Sequence, residues 1–515
     1  FRERQKDNAR RIAIVHRATN AAQAAGEAVT PAAQWLLDNY YLVEEAIAQV
    51  KRDMPLRFYG ELPRVALENG QRIPRVLAIA WSYVAHTDSS VSPDTLKAVV
   101  DGYQSLQTLN IGELWALPSL LRFVLLENLR RLAMRVNRSR IMRHIANEVA
   151  DKFALAEANE MPEPDLAAYA EHARDAAFAT QLLYRLRDGS RSAGRALSWL
   201  ESELEQHGTN AEAMIAMEHQ AISSGNVTVG NIIRGLRRID DQDWSTWFEE
   251  VSPVDVLLRR AGNYAELDFQ SRDQYRTAIE DLSRRSGLSE IAVAERAVEL
   301  ARGKQPDARR PANENTPPPG AQSADIGFFL VGPRREELEH SIGYRPAWYR
   351  RVQRFYRRSG WVGLAVPVVA LTVLFLWLAT AALRGVALTE AERTALLLLF
   401  AFPAIEGAVG LFNTVALMFF KPTRLVGYEF KDGIPAEART LVVVPVLIGS
   451  RADVEECVRN LEVHYLANMR GELYFAMLSD WPDSREEQSP ADLDLLAYAR
   501  EQIAALNMRY PAGAV

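Results

Sequence analysis

Residues 361–383 read WVGLAVPVVALTVLFLWLATAAL, and residues 395–420 read ALLLLFAFPAIEGAVGLFNTVALMFF. The first stretch contains no charged residue, and the second contains only Glu406. A helix needs about 20 apolar residues to cross the hydrocarbon core of a bilayer. The alternative, a buried helical hairpin in a large soluble core, rarely contains apolar stretches of this length. The two stretches therefore predict a pair of transmembrane helices and a chain that is tethered to a membrane.

The charged residues around this hairpin predict its orientation. The segment before the first stretch mixes aromatic residues with six arginines, namely Arg345, Arg350, Arg351, Arg354, Arg357 and Arg358. Lys421 and Arg424 follow the second stretch, whereas the charges of the link between the stretches sum to zero. By the positive-inside rule, both outer flanks are cytoplasmic and the short link faces outward. Beside a transmembrane helix, the basic-aromatic segment indicates contact with membrane lipids rather than with nucleic acid.

Length and composition set further bounds. A chain of 515 residues is expected to contain several domains, and its net charge of −6 indicates no polyanionic partner. Its one cysteine, Cys457, excludes an internal disulfide framework and a cysteine-based zinc site. The chain opens at Phe1 without an initiator methionine or a signal peptide and ends at Val515. We therefore expect a fragment of a longer protein, trimmed at both ends.

The sequence before the hairpin has helical periodicity. In residues 35–47, for example, apolar residues recur at positions 36, 40, 43 and 47, which places them on one face of a single helix. Similar blocks follow, and no strand-like alternation competes with them. Residues 1–302 are predicted to form a cytoplasmic helical domain, with helix pairs that could stack as in a solenoid, although no fixed-period repeat is evident.

Three further segments complete the predicted organisation. Residues 303–323 are rich in Pro and Asn and are predicted to be a flexible linker. Residues 324–438 contain the basic-aromatic segment and the hairpin. Residues 439–515 begin with a continuous β-branched strand, typical of a strand buried on both faces, and continue with a helix and a second strand. This is a βαβ unit, whose ligands are expected at the carboxyl ends of the strands, near residues 447–451 and 479–484.

Candidate functional residues are few. Asp480 follows the second strand and could contact the base of a nucleotide sugar, or it could simply cap a turn with Pro482. His464 has no partner at metal-ligand spacing and is interpreted as structural. Glu406 is costly to place in a membrane, so we expect it to pair with a polar group of another helix or to line a polar path. The remaining acidic residues form a predicted solvated surface: Asp483, Glu486 and Glu487.

Three sets of sequence stretches resemble the cyclic β-1,2-glucan synthases of Gram-negative bacteria, which are very large inner-membrane enzymes. The first is WLLDNYYLVEE at residues 35–45. The second consists of AWSYVAHTD at residues 80–88, IGELWALP at residues 111–118 and ENLRRLA at residues 127–133. The third combines VP at residues 444–445, LEVHYLAN at residues 461–468 and FAMLSDW at residues 475–481. Together they span nearly all of the chain apart from the linker and the middle of the helical region.

The resemblance implies that residues 439–515 begin a glycosyltransferase domain of the GT-A type. It implies transfer of glucose from UDP-glucose to a growing, protein-attached β-1,2-glucan that is later cyclised, with a phosphorylase-like domain elsewhere in the same polypeptide. It implies a multi-pass protein of the bacterial inner membrane. Mg²⁺ or Mn²⁺ is expected at the diphosphate, because its charge must be neutralised as UDP leaves. The metal ligands and the catalytic base are expected after Val515, so no catalytic residue is assigned within this sequence.

Two tyrosines are candidate acceptors for self-glucosylation, because a synthase that builds on itself needs an acceptor hydroxyl. They are Tyr40 and Tyr41. We favour the interpretation that both are core aromatics. A set of residues in the second family-like stretch is likewise interpreted as a buried polar network rather than a sugar cleft: Glu113, Trp115, Glu127 and Arg130.

Two alternative functions stay open. One is another processive membrane polysaccharide synthase, of the cellulose or hyaluronan type, which would not require the large helical region. The other is a non-catalytic helical membrane scaffold. An Asp-x-Asp motif and an acidic base after Val515 would favour an enzyme, whereas a nearby stop codon would favour the scaffold.

Overall fold

The computed structural model describes residues 1–68, 70–159, 161–162, 164–187, 191–303, 325–385, 387–420, 424–468, 470–483 and 490–510. Residues 304–323 of the predicted linker lie outside this part. The chain forms two compact units. Unit 1 comprises Phe1–Ala261, Ile279–Lys304 and Leu338–Gly343, and unit 2 comprises Gly262–Ala278, Gln305–Glu337 and Tyr344–Val515.

Helices account for most of the chain before the hairpin, as predicted. They are α1 (Arg2–Ala24), α2 (Pro31–Asp38), α3 (Tyr40–Asp53), α4 (Leu56–Glu61), α5 (Arg75–His86), α6 (Pro93–Gln104), α7 (Ile111–Ala158), α8 (Ala170–Ala173), α9 (Ala176–Leu186), α10 (Arg191–Gln206), α11 (Ala211–Asp241), α12 (Trp244–Val251), α13 (Pro253–Arg259), α14 (Phe269–Ser286) and α15 (Glu290–Gly303). Helix α14 begins in unit 2 and ends in unit 1.

Unit 1 is organised around the 48-residue helix α7. Its first half is packed by α1, α3 and α5, and its second half forms a separate core with α9 and α10 around Phe153, Phe178 and Leu182. In a solenoid, each helix pair contacts only its sequence neighbours. The solenoid-like arrangement considered from the sequence is therefore wrong, because helices distant in sequence share α7 as their packing partner.

Two local features of unit 1 differ from the predictions. The helix predicted across residues 35–47 is broken at Asn39, where φ is −123° and the side-chain amide donates a hydrogen bond to the Trp35 carbonyl (3.0 Å). In addition, β1 (Arg64–Ala66) and β2 (Arg72–Pro74) form an antiparallel hairpin where no strand was predicted. Each strand has only three residues, which is too short for an alternating pattern to be visible.

Unit 2 contains the apolar hairpin and the βαβ unit. Its elements are α16 (Gly327–Leu330), α17 (Arg335–Ser341, continuing into unit 1), α18 (Trp348–Ala382), α19 (Glu390–Phe419), β3 (Thr440–Leu447), α20 (Arg451–Ala467), β4 (Leu473–Asp480) and α21 (Pro490–Arg509). The chain after α19 pairs with the segment before α14 through an antiparallel bridge between Leu267 and Tyr428. This pairing ties the exit of the hairpin to the start of α14.

Helices α18 and α19 pack side by side, and each is long and apolar enough to cross a membrane, over Arg358–Gly385 and Glu390–Met418. Phe375 contacts the helix at Gly407, and the rings of Tyr356 and Phe420 lie 5.9 Å apart, which makes the pair antiparallel. Small residues allow the close approach, as is common between membrane helices. Helix α18 changes direction at Gly360, whose φ of 53° is accessible to glycine without strain.

Strands β3 and β4 form a two-stranded parallel sheet, and α20 and α21 pack on one of its faces. Val444, Val446, Phe475 and Met477 point toward these helices. The prediction that β3 is buried on both faces is wrong for the described residues. Its alternate side chains are exposed, 64% in the case of Leu447, because no described element covers the second face.

Candidate functional site

The carboxyl ends of the two parallel strands meet at one edge of the sheet. Leu447 is the register partner of Asp480, and the Ile448 N–H donates a hydrogen bond to the Asp480 carbonyl (2.9 Å). This bond extends the ladder by one residue, so that the turn after β3 and the turn after β4 lie beside each other. These are the two segments at which the sequence predicted a ligand site.

Asp480 is exposed at this edge. Its Oδ1 accepts a hydrogen bond from the backbone N–H of Trp481 (2.8 Å), which orients the carboxylate locally. Side chains alternate along a strand, and the β4 residues that pack on α20 and α21 are Phe475 and Met477. Asp480 therefore lies on the opposite face, the same one that exposes Leu447. The carboxylate is placed where a ligand on the open face of the sheet could reach it.

Hydrogen bonds within the chain fix the turn after β3. Ser450 caps α20 by accepting the Asp453 N–H (Oγ–N 3.3 Å), and Asp453 Oδ2 in turn accepts the N–H of Gly449 (3.1 Å). Such reciprocal bonds satisfy donors that a helix start leaves without intrahelical partners. The turn is therefore shaped by the chain itself before any ligand binds.

Trp481 anchors the second turn, a role that the sequence interpretation missed. Its indole packs against a small core that contains Ile448, Val454 and Ala499. A tryptophan directly after a strand that ends in a polar residue is the signal that could have revealed this anchor. Because Trp481 is held by both turns and α21, the position of the neighbouring Asp480 is restrained.

The other candidate polar residues of the βαβ unit do not form a second cluster within the described part of the chain. Asp483 is exposed, as predicted for a solvated surface, whereas Glu486 and Glu487 lie outside the described residues. His464 is exposed on α20, where its backbone carbonyl accepts a hydrogen bond from the Asn468 amide (3.0 Å). The single cysteine, Cys457, is buried between the sheet and α20, and burial raises the pKa of its thiol.

The described residues do not form a metal site. No group of three or more His, Cys, Asp or Glu side chains within that part of the chain is arranged to hold a metal ion. Asp480 alone cannot provide the several oxygen ligands that Mg²⁺ or Mn²⁺ requires. The metal implied by the resemblance therefore does not fit this set of residues, and we derive no chemical step from it.

The two candidate acceptor tyrosines differ in accessibility. The ring of Tyr40 stacks on His16 at a centroid distance of 3.7 Å, and burial, with the nearby Glu44 acting in the same direction, raises the pKa of its hydroxyl. Tyr41 exposes 59% of its surface. The interpretation of Tyr41 as a core aromatic is therefore wrong, because on α3 it points away from the face that carries Leu42 and Val43.

Glu113 and Glu127 form ion pairs within the helical core. Glu113 is fully buried and binds Arg75 through two hydrogen bonds, Nε–Oε1 at 2.5 Å and Nη2–Oε2 at 2.6 Å. Glu127 is paired with Arg4 from α1. Trp115 stacks on Phe248, and Arg130 is half-buried. These contacts place the residues in the structural framework of unit 1 rather than in an open cleft.

Glu406 lies on the exposed side of α19. Ala404 and Ala408, two positions on either side of it, are buried in the hairpin, so the intervening Glu406 points away from it. A carboxylate in a membrane-spanning segment is costly unless it is paired or solvated. The expectation that Glu406 pairs with a polar group of another helix or lines a polar path stays a prediction.

The chain is similar to the cyclic beta-(1,2)-glucan synthase NdvB of Rhizobium meliloti (strain 1021). The two sequences are 51% identical over 510 residues, which is 99% of this chain and 18% of that protein. No protein-family model matches the chain. The resemblance inferred from the sequence stretches is thus confirmed over nearly the whole chain, and the chain spans less than a fifth of the length of its relative.

Proposed function

We propose that this chain is part of a membrane glycosyltransferase that polymerises glucose from UDP-glucose into protein-attached β-1,2-glucan, which the same polypeptide later cyclises. The observation that carries the proposal is the 51% identity to a cyclic glucan synthase over 99% of the chain. The chain covers 18% of that relative. We place the remaining steps in other domains of the same polypeptide, including the phosphorylase-like domain that the resemblance implies.

In this proposal the parallel pair β3–β4 opens a GT-A-type nucleotide-sugar domain. Ligands of open α/β sheets bind at the carboxyl ends of the strands, where Asp480 is exposed. Uracil has one N–H donor on its pairing edge, and a carboxylate is a strong acceptor for it. Asp480 would hold the base of UDP-glucose, and the exposed apolar side chain of Leu447 offers a surface against which the ring could lie.

The transferase reaction forms one bond and breaks another. The oxygen of an acceptor hydroxyl attacks C1 of glucose, the bond from C1 to the phosphate oxygen breaks, and UDP leaves with the bonding electrons. A carboxylate base takes the hydroxyl proton. We place this base, and the ligands of a Mg²⁺ or Mn²⁺ ion that would neutralise the diphosphate, outside the present sequence. In this proposal, the role of the present chain is to bind the donor and to attach the enzyme to the membrane.

The proposed location is the bacterial inner membrane, with α18 and α19 crossing it and both soluble regions in the cytoplasm. The arginine-rich flank of α18 and Arg424 after α19 support this orientation, as does the neutral link between the helices. Labelling with an impermeant maleimide tests it. A cysteine replacing Arg384 should react in intact spheroplasts, whereas a cysteine replacing Arg345 should react only after lysis.

Incubation of the full-length protein in membranes with radiolabelled UDP-glucose tests the activity. We expect a neutral β-1,2-glucan together with label on the protein, and the absence of both would contradict the proposal. Peptide mapping of the labelled protein tests the acceptor. Of the two tyrosine candidates, Tyr41 has the accessible side chain, and glucose found only at other positions would exclude both Tyr40 and Tyr41.

A further inference from the structure

Three arginines from separate segments of unit 2 line one cavity of about 470 Å³. They are Arg335 on α17, Arg350 in the first turn of α18 and Arg424 after α19. The first half of α14 also lines the cavity and contributes Gln270, Asp273, Gln274 and Thr277. The lining thus contains three guanidinium groups and one carboxylate.

The fold holds these arginines together. The Asp268 N–H donates a hydrogen bond to the Gly427 carbonyl (2.9 Å), and the Gly427 N–H donates to Ser271 Oγ (2.8 Å). These bonds attach the chain that carries Arg424 to the start of α14. Arg335 is oriented by a hydrogen bond from its Nη1 to the Leu330 carbonyl (2.9 Å). These hydrogen bonds therefore fix the positions of the segments that line the cavity.

The position of the cavity in the chain points to the membrane surface. Arg350 lies before the apolar part of α18, and Arg424 lies just after α19, so both flank the same end of the antiparallel hairpin. On the segment of α18 before the change of direction at Gly360, Trp348 is 73% exposed and Phe355 is 69% exposed. Exposed aromatic rings beside arginines are typical of helices at headgroup depth.

We propose that the cavity formed by Arg335, Arg350 and Arg424 binds the phosphate group of an anionic phospholipid at the end of the hairpin. Guanidinium groups bind phosphate oxygens through paired hydrogen bonds, and the amides of Gln270 and Gln274 can add neutral donors. Basic pockets beside transmembrane helices bind anionic headgroups in this way. The proposal rests on the membrane insertion included in the proposed function.

The chain offers a matched control for the test. The double variant Arg350→Gln/Arg424→Gln removes two charges from the cavity, whereas Arg345→Gln/Arg351→Gln removes two charges from the same region without touching its lining. Both variants change the net charge equally. A loss of general attraction to an anionic surface would therefore weaken lipid binding equally in both variants. A specific site would be lost only in Arg350→Gln/Arg424→Gln.

The full-length protein is reconstituted in nanodiscs of phosphatidylcholine with a minor share of phosphatidylglycerol, and bound lipid is counted by native mass spectrometry after release. We expect phosphatidylglycerol adducts on the parent protein and the control. In the cavity variant we expect binding about a hundredfold weaker than in the control, at about tenfold per arginine, as expected for losing a hydrogen bond to a charged group. Equal losses in both double variants, or no preference for phosphatidylglycerol over phosphatidylcholine, would overturn the proposal.

Two further measurements distinguish a lipid headgroup from a soluble phosphate and a lost site from a misfolded protein. If pyrophosphate without anionic lipid raises the unfolding temperature of the parent but not of the cavity variant, a soluble phosphate is the ligand and the lipid assignment is overturned. If the cavity variant misfolds, the single variant Arg424→Gln replaces it, since this residue is exposed and outside any helix. Failure of the protein to insert into nanodiscs contradicts the proposed function, whereas insertion without adducts contradicts only the lipid site.

Discussion

The carboxylate of Asp480 accepts a hydrogen bond from the backbone N–H of Trp481, with Oδ1 and N 2.8 Å apart. Because the half-buried Trp481 indole packs against the core between the sheet and its helices, this bond fixes an exposed carboxylate to an anchored residue. An asparagine at position 480 keeps an oxygen acceptor for the same N–H but carries no charge. Comparing substitutions at this position can therefore separate a ligand contact from a structural role in the turn.

We predict that Asp480→Asn raises the KM for UDP-glucose in the full-length enzyme by about tenfold to a hundredfold, the range expected for losing a hydrogen bond to a charged group. The value of kcat should change little, because Asp480 would bind the uracil ring equally well in the ground state and in the transition state. Initial rates with radiolabelled UDP-glucose measure both parameters. The control is Asp483→Asn, an exposed neighbour, which should leave KM unchanged. An unchanged KM in Asp480→Asn would contradict a contact between Asp480 and the donor, and Asp480 would then have only a structural role in the turn.

The parts of this structure that could be predicted from the sequence are those set by local periodicity. The apolar stretches predicted the hairpin. The β-branched run, followed by a helix and a second strand, predicted the βαβ unit. The break at Asn39 was hidden, because apolar residues on both sides of it keep the spacing of one helix. The exposure of one face of β3 could not be predicted either. A β-branched run indicates that a strand is suited to burial, but it does not show whether another element covers each face.

Long-range pairing could not be predicted from the sequence. Arg75 and Glu113 are 38 positions apart and form their ion pair only because α5 packs on α7. For the candidate site, the sequence placed Asp480 at a strand end but could not show that Trp481 anchors it. The cavity of three arginines depends on the attachment of Gly427 to the start of α14, which no sequence pattern indicated.

Glu290 should make the stability of unit 1 depend on pH. Burial raises the pKa of its carboxyl to about 7 from 4.5, with Glu280 and Glu113 acting in the same direction, although the Ile111 N–H that it accepts (2.8 Å) and Arg284 oppose the shift. Between these values the folded state binds more protons than the unfolded state. The free energy of unfolding should therefore fall as the pH rises from about 4.5 to about 7 and then stay low.

In Glu290→Gln this pH dependence should disappear, because the side chain at position 290 no longer titrates. The amide oxygen can still accept the Ile111 N–H. Above pH 7 the variant should be more stable than the parent by on the order of 3 kcal/mol, and below pH 4.5 the two should be equal. Thermal unfolding of the detergent-solubilised protein across this range measures the difference. Glu295→Gln, at an exposed position of the same helix, is the control. Parallel pH profiles for the parent and Glu290→Gln would contradict the assignment.

Gly327 is predicted to tolerate no side chain. A Cβ atom built there lies 1.9 Å from the hydroxyl oxygen and 2.7 Å from Cζ of Tyr275, whose ring is fully buried. We expect Gly327→Ala to destabilise unit 2 by about 2 kcal/mol or more, as overpacking does in a rigid core. Thermal unfolding measures the effect.

Removing the Tyr275 hydroxyl should relieve part of this clash. The double variant Gly327→Ala/Tyr275→Phe should be more stable than the sum of the single changes predicts, while Cζ still limits the recovery. Gly225→Ala is the matched control, since its Cβ would meet no atom within 4 Å, and it should be neutral or slightly stabilising. Additive effects at positions 275 and 327 would show that the hydroxyl is not the obstacle.

Glu406 provides a test of whether α19 lies in the membrane. It stands near the middle of Glu390–Phe419, on the side opposite the buried Ala404 and Ala408. A charged residue at the centre of a spanning helix costs about 3 kcal/mol of insertion free energy, and the cost falls toward the ends. We therefore expect Glu406→Leu to favour insertion of this segment by about 3 kcal/mol in a translocon insertion assay, and Glu390→Leu at the helix start to change it far less. Equal effects at the two positions would mean that α19 does not cross the bilayer with Glu406 at its centre.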